Sequence, residues 1–296
     1  MSYTHLQVRS GYSLMNSTIT IDKLINQAKK LDFDALALTD EHVLYGVVPF
    51  YQACLKNGIK PIIGMIVNVK NETEDIEKFI LLAKNNDGYK TLGKLSTVLG
   101  MNHKTSLQLE ALENQAENII CIMPTGNHTK LRSLIDTSSH EKVMDYIEPW
   151  KRAFSDGDFY LGIQDHGLQQ EQAIIQSLKR FHENNGIPVT AINDVRYLNE
   201  KDAAAFDCLQ AMKNGDAWPM RITDASVKNR YFRSSREMTN LFDFWPEVLQ
   251  ETEAIKNKCN VKLDLDQRLL PSFPVPENMG AHDYLEKRCL ENVKEK

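Results

Sequence analysis

The chain is poor in the features that announce a cross-linked, membrane-bound or nucleotide-binding protein. It has five cysteines in 296 residues, scattered at Cys54, Cys121, Cys208, Cys259 and Cys289 with no C-x-x-C pair. That excludes a disulfide framework and a zinc finger built on paired cysteines. No stretch approaches the ~20 apolar residues of a membrane span. The opening MSYTHLQVRS lacks the apolar core of a secretory signal. A cytoplasmic protein without membrane contact is the expectation. Phosphate loops of the G-x-x-x-x-G-K-S/T type, dinucleotide fingerprints of the G-x-G-x-x-G type and G-x-S-x-G nucleophile elbows are absent. So is a basic surplus: 35 Lys+Arg face 40 Asp+Glu, a net charge of -5, which argues against a free-standing nucleic-acid binder. No internal repeat or low-complexity segment stands out.

What is present reads as an ordinary globular chain, 42% hydrophobic and 25% charged. Short apolar runs alternate with amphipathic stretches. Leu6-Gln7-Val8, Ala35 to Leu38, Pro61 to Val67, Phe79 to Ala83, Asn118 to Met123, Phe159 to Ile163 and Ile187 to Ile192 read as seven strands. A helix from about Val47 to Asn57 stops at Gly58, a natural C-cap. Asn85-Asn86-Asp87-Gly88 reads as a turn before a helix with Leu92, Leu95 and Val98 on one side. Continuously apolar strands between helices predict a parallel sheet covered on both faces. Seven of them favour a (β/α) barrel over an open sheet, a choice that periodicity alone does not decide; a distorted seven-stranded barrel with a helical extension is the fold expected. Active sites in such folds form at the C-terminal strand ends. Those ends carry Arg9, Asp40-Glu41-His42, Gln164-Asp165-His166 and Asn193-Asp194-Val195-Arg196.

Beyond residue 200 the pattern becomes a mostly helical extension, with helices at Ala203 to Met212, Arg236 to Phe242 and Pro246 to Lys258 and an irregular stretch at 215–236. Leu270 to Pro276 is a proline-punctuated connector. A last helix starts at His282 and reaches the Val-Lys-Glu-Lys terminus without a cap signal, as at a cut rather than a natural end. The boundaries expected are 1–205 for the barrel, 206–269 for the extension and 270–296 for the connector and the first helix toward a further domain.

Only the strand-end carboxylates and histidines offer chemistry. Asp40-Glu41-His42 suits a metal or acid/base work, or a capping role for Asp40. Asp165-His166 suits a ligand pair, or a turn aspartate beside a hydrogen-bonded histidine. Asp194 is the most suggestive, yet Arg196 beside it cannot ligate a metal because guanidinium stays protonated. His5 reads equally as a satisfied core histidine.

Several strings, taken in order, carry a resemblance. They are HLQVRSGYSLMNS from His5, ALTDEHVLYG from Ala37, GIKPIIG from Gly58, LLAKNNDGYKTLGKLS from Leu81, AINDVRYL from Ala191, YFRSSREM from Tyr231, WPE from Trp245 and LPSFPVPE from Leu270. Together they resemble the N-terminal region of bacterial DNA polymerase III alpha subunits, in the shorter type of Gram-positive bacteria. That region is a PHP (polymerase and histidinol phosphatase) domain, a seven-stranded (β/α) barrel.

The resemblance implies a metal cluster in active members and a departure from it here. The family's opening His-x-His falls on Gln7 and Arg9, its next Asp on Asn16, and the His of Thr-Asp-His-Gly on Glu41. A Glu falls on Ile66, a His on Lys78, a Cys or His on Thr125, and the closing Asp-x-His on Asp194 and Arg196. Of these positions only Asp194 is kept. Ile66 offers no lone pair, and Arg9, Lys78 and Arg196 bring positive charge where divalent cations would sit. The expectation is that no metal binds and no phosphoesterase or proofreading activity survives. Arg9 and Arg196 would instead serve as counter-charges to Asp194, Asp40 or Glu41. Zn, Mn or Fe would enter only if the site were active, and Mg belongs to a palm domain whose Pro-Asp-Ile-Asp-Ile-Asp string is not in this sequence.

The expected role is thus a structural and interaction domain of a replicative polymerase. Its partners would be the palm and thumb domains, replisome subunits and, through the full-length enzyme, DNA. The rival is an active metal-dependent phosphoesterase or 3′-5′ exonuclease rearranged around Glu41, Asp165, His166 and Asp194. A stand-alone histidinol-phosphate-like phosphatase fails on the same missing ligands. From Arg221 to Arg236, five Lys/Arg stand against one Asp, with Tyr231 and Phe232 between. Arg230, Arg233 and Arg236 are therefore candidate nucleic-acid contacts, the alternative being a solvated loop packed on a neighbouring domain.

Overall fold

The computed structural model describes residues 3–101, 104–113, 115–126, 130–137, 140–216, 228–265, 273–276 and 278–294. These fall into two compact units, Met1–Lys262 and Leu263–Lys296. The strands of the first unit are β1 (Ala35–Glu41), β2 (Lys60–Lys70), β3 (Ile76–Ala83), the short β4 (Leu107–Gln108), β5 (Ile119–Pro124), β6 (Phe159–Ile163) and β7 (Val189–Ala191). They form one sheet in the order β1-β2-β3-β5-β6-β7, with β4 beside β2.

The stretch at residues 5–9 closes this sheet. On one side its His5 and Val8 carbonyls accept from the Ala37 and Thr39 N–H groups of β1, at 3.0 and 2.8 Å. On the other, Arg9 N–H donates to the Val195 carbonyl and Val195 N–H to the Gln7 carbonyl, both at 3.1 Å. Only Val8, bridged to Val195, has the geometry of a regular pair. The expected first strand is therefore a looser closing piece of a distorted barrel. Side chains alternating at period 2 fill the interior: Ala35 and Ala37, Ile62 and Ile66, Ile80 and Leu82, Ile120 and Ile122. At Gly64 and Gly162 the barrel is too narrow for a side chain. A Cβ on Gly64 would run into the Leu81 carbonyl, and one on Gly162 would lie 2.7 Å from Ile192 Cδ1.

The sheet is not all parallel. β1–β2, β5–β6 and β6–β7 are parallel, but β3 runs antiparallel to both β2 and β5. The connection from β2 to β3 spans only residues 71–75, and a parallel crossover needs a dozen or more. β3 thus brings its N-terminal end, not its C-terminal end, to the mouth of the barrel.

Helices α1 (Ile21–Lys30), α2 (Val47–Lys56), α3 (Asn86–Met101), α4 (Glu110–Glu113), α5 (Lys130–Thr137), α6 (His140–Arg152) and α7 (Gln169–Asn185) alternate with the strands. α2 ends as expected, with Asn57 at its cap and Gly58 at φ 71. The expected turn at Asn85–Gly88 is the first turn of α3. Asn85 Oδ1 accepts from the N–H groups of Asp87 and Gly88, both at 3.0 Å, which makes Asn85 an N-cap. α3 buries Leu92, Leu95 and Leu99, while Val98 is exposed.

Then come α8 (Ala203–Asn214), α9 (Ser235–Leu241) and α10 (Glu247–Lys258). α9 starts with a capping box between Ser234 and Glu237. α10 closes the end of the barrel opposite the mouth: Ile255 and the following Cys259 join the interior cluster. Asn260 N–H donates to the Lys84 carbonyl at 2.6 Å, and Thr4 N–H donates to Thr252 Oγ1 at 3.1 Å. Of the irregular stretch at 215–236, residues 217–227 lie outside the described residues, and Tyr231 bridges Tyr197. In the second unit α11 (Ala281–Lys294) comes after the connector, of which residues 270–272 lie outside the described residues. There the rings of Phe273 and Tyr284 stack with centroids 6.0 Å apart.

Candidate functional site

The period-2 alternation that fills the barrel also decides which side chains reach its mouth. Continuing the inward positions 35 and 37 along β1 leads to Glu41. Continuing Ile62 leads to Ile66, and going back along the reversed β3 from Ile80 leads to Lys78. Beyond β7 the same alternation runs from Ile192 to Asp194 and Arg196. Arg9 arrives on the closing stretch, and Arg230 on the segment next to Tyr231.

These groups meet around Asp194, which is buried. Asp194 Oδ1 accepts from Arg9 Nη1, and from Gln7 Nε2 at 3.3 Å. Asp194 Oδ2 accepts from Arg196 Nε at 3.0 Å, is paired with Arg196 Nη2 at 3.0 Å, and accepts from Arg230 Nη1. Three guanidinium groups thus share one carboxylate. Beside them Glu41 Oε1 accepts from Lys78 Nζ at 3.3 Å and Oε2 from Asn16 Nδ2 at 3.1 Å, with Arg9 Nε 3.8 Å from Oε2. Lys213 Nζ donates to Asn16 Oδ1 at 2.7 Å.

The electrostatics arise from burial and this crowding. Burial alone would raise the Glu41 carboxyl, but Arg9 and Lys78 outweigh it and hold the pKa at about 2. Burial, then the charge of Arg196, depresses the affinity of Arg9 for its proton. Burial and Arg9 do the same to Lys78.

Other candidates are engaged elsewhere. Asp40 points to the opposite face of β1 from Glu41. It accepts from Ser10 N–H at 2.7 Å, Ser10 Oγ at 2.8 Å and Ser13 Oγ at 2.6 Å, so it fixes the 10–17 loop and makes no ion pair with arginine among the described residues. His42 leaves the strand with φ 65, its N–H donating to the Ile66 carbonyl at 2.8 Å. Thr125 Oγ1 donates to the Gly162 carbonyl at 2.9 Å. Asp165 accepts from Gly167 N–H at 2.7 Å, the turn arrangement. His166 contacts Glu171 through Nδ1 at 3.1 Å and donates its N–H to Glu171 Oε2 at 2.7 Å. His5 is a core histidine, stacked on Phe232 at 4.3 Å with Nε2 2.8 Å from the Arg233 carbonyl.

In the basic segment, two of the three candidate positions are engaged within the fold. Arg230 turns inward to Asp194, and Arg233 is buried with Nη1 donating to the Asp165 carbonyl at 2.8 Å. Of the three candidate nucleic-acid contacts only Arg236 is exposed, and Arg221 lies outside the described residues. Sequence reasoning missed Glu171, the inward role of Arg230 and the serines on Asp40. Ser10 and Ser13, close together in the loop facing β1, were the one available signal for the last.

A metal cluster does not fit this donor set. Asp194 is saturated by guanidinium donors, and Glu41 is shared by Lys78, Asn16 and Arg9. Among the described residues no three His, Cys, Asp or Glu side chains are grouped to hold a metal ion.

Against known proteins, residues 5–166 match the PHP domain family. The chain is 37% identical over 299 residues to the DNA polymerase III subunit alpha of Bacillus subtilis, covering 99% of this chain and 26% of that protein. It is 32% identical over 315 residues to that of Borreliella burgdorferi, covering 99% and 27%. The structure of an amidohydrolase from Chromobacterium violaceum aligns with a TM-score of 0.47 at 10% identity, covering 66% of this chain and 88% of that one. The chain spans about a quarter of the length of the curated relatives it matches. The matched stretch at 5–166 takes in the mouth residues Gln7, Arg9, Glu41, Ile66 and Lys78, and the chain belongs to the PHP domain family.

Proposed function

We propose that this chain is the PHP segment of a replicative DNA polymerase alpha subunit and acts as a structural and interaction domain. The observation that carries the reading is the Asp194 hub, in which Arg9, Arg196 and Arg230 occupy the surroundings of the one retained ligand. End-to-end similarity to alpha subunits supports the polymerase context. In this reading DNA synthesis, its Mg ions and most DNA contact belong to the rest of the full-length enzyme. The palm and thumb domains, with replisome subunits beyond them, are the partners, and the cytoplasm is the compartment. The barrel is 1–205, the helical extension 206–269, and 270–296 the way to the next domain. Arginines do here what cations do in an active relative: they neutralise a carboxylate and tie the strand ends together, without generating a nucleophilic water.

The test is elemental analysis of the purified chain with a phosphoesterase and exonuclease assay, beside Asp194→Asn. The expected result is no stoichiometric Zn, Mn or Fe and no hydrolysis above a blank. Asp194→Asn should lose about 3–5 kcal/mol of stability in urea, because buried guanidinium groups are left without their counter-charge. Stoichiometric metal, or hydrolysis abolished by Asp194→Asn, overturns the reading.

A further inference from the structure

We propose that Asn214, at the carbonyl end of α8, is a site of self-modification by deamidation, singled out by the fold from three Asn-Gly steps in the chain.

An asparagine followed by glycine can react with its own backbone. The glycine nitrogen, having given up its proton, attacks the asparagine Cγ. The N–Cγ bond forms, the Cγ–Nδ2 bond breaks, and the amide nitrogen leaves as ammonia. Water then opens the five-membered imide to an isoaspartyl or aspartyl residue. Glycine permits the close approach because it has no Cβ. A hydrogen bond that fixes the asparagine amide retards the attack, and so does one that keeps the glycine N–H engaged.

The three steps are Asn57-Gly58, Asn185-Gly186 and Asn214-Gly215. They stand at the ends of α2, α7 and α8, and their glycines share a left-handed φ of 71, 67 and 74. The glycine conformation therefore does not distinguish them, but the hydrogen bonds do. Asn57 Nδ2 donates to the Ala53 carbonyl and Asn185 Nδ2 to the Phe181 carbonyl, both at 2.9 Å. These bonds turn the side chain back along its helix, away from the glycine nitrogen. Asn214 is exposed, and its amide makes no hydrogen bond among the described residues. The glycine N–H groups fall in a matching order. Gly186 donates to the His182 carbonyl at 2.8 Å, Gly58 to that of Leu55 at 3.2 Å, and Gly215 to that of Met212 at 3.4 Å.

The residue after each glycine completes the contrast. Ile59 and Ile187 are buried, which anchors the ends of α2 and α7. Ile59 N–H also donates to the Cys54 carbonyl at 3.0 Å, and His182 Nδ1 lies 2.7 Å from the Ile187 carbonyl. After Gly215 comes Asp216, and residues 212–216 are all exposed. Asp216 N–H closes α8 on the Ala211 carbonyl at 2.9 Å, without a buried side chain to hold it. A last turn held by backbone bonds alone frays readily and opens the geometry of attack. The product places a negative charge at the carbonyl end of α8, where the helix dipole disfavours it. It stands next to Lys213, whose Nζ donates to Asn16 Oδ1 at 2.7 Å.

The test keeps the folded chain in mildly alkaline buffer and samples it over days, beside a second sample unfolded in urea. Peptide mapping by mass spectrometry, with isoaspartyl forms separated by chromatography, reads the rate at each step. In the folded chain Asn214 should convert about tenfold faster than Asn57 or Asn185, the rate equivalent of one net hydrogen bond. In urea the three rates should converge. Asn214→Gln should remove the acidic species that accumulates on anion exchange. Equal rates at the three steps in the folded chain, conversion that begins at another asparagine, or an Asn214 still intact when the urea sample has reacted overturns the inference.

Discussion

Buried His5 and partly buried Glu41 contribute to how this protein answers pH. Burial pushes the His5 pKa down from 6.5 to about 4, against the pull of its hydrogen bond to the Arg233 carbonyl. The folded state keeps His5 neutral while the unfolded chain takes up a proton. Stability is therefore complete above the unfolded value and is lost as pH falls from 6.5 towards about 4, by roughly 3 kcal/mol. Glu41 acts lower: its contribution is present above its ordinary 4.5 and lost as pH falls towards about 2. Urea midpoints at about pH 7.5 and about pH 5 should show the loss in the parent and a smaller one in His5→Gln, which cannot titrate. An equal loss in both would assign the pH response to other groups, His166 first among them, since burial lowers its pKa too.

At the same scale, the site was only partly readable from sequence. Arg9, Glu41, Lys78, Asp194 and Arg196 could be picked out because each falls on a motif position. Arg230 could not. Its segment has no periodicity, and a basic run with aromatics reads as a surface until the Tyr197–Tyr231 bridge turns it inward.

Among the elements, β2 carries the tightest constraint. Gly64 faces inward between Thr39 of β1 and Leu82 of β3, and a Cβ there would collide with the Leu81 carbonyl. Backbone cannot yield as a side-chain tip can. Gly64→Ala should destabilise the fold by about 1–3 kcal/mol, read as a lower urea midpoint at constant slope. Gly58→Ala, in open space but at φ 71, should cost only about 1 kcal/mol. Strand positions were legible because buried strands are continuously apolar. The direction of β3 was not, because apolar content has no polarity along the chain. Only the length of the 71–75 connection encodes it.

For the first unit as a whole, α10 of the helical extension packs into the barrel interior even though it comes after the last strand by more than 50 residues. Ile255 is fully buried among the inward strand residues. Ile255→Ala should cost about 2–5 kcal/mol. Amide exchange should show α10 opening together with β1 and β2; if α10 opens alone at much lower free energy, it is an appendage.

The closing stretch at residues 5–9 has one more consequence, in the order of events during synthesis. Residues 5–9 emerge from the ribosome well before Val195, one of their two strand neighbours, and Arg9 meets Asp194 across 185 positions. Until those later residues emerge, one edge of the nascent sheet stays unpaired and Arg9 has no Asp194. Contacts so distant in sequence slow folding, and an open edge in the interval invites pairing with the wrong strand. The Asp194 hub is thus a late fastening, made only when most of the barrel already exists.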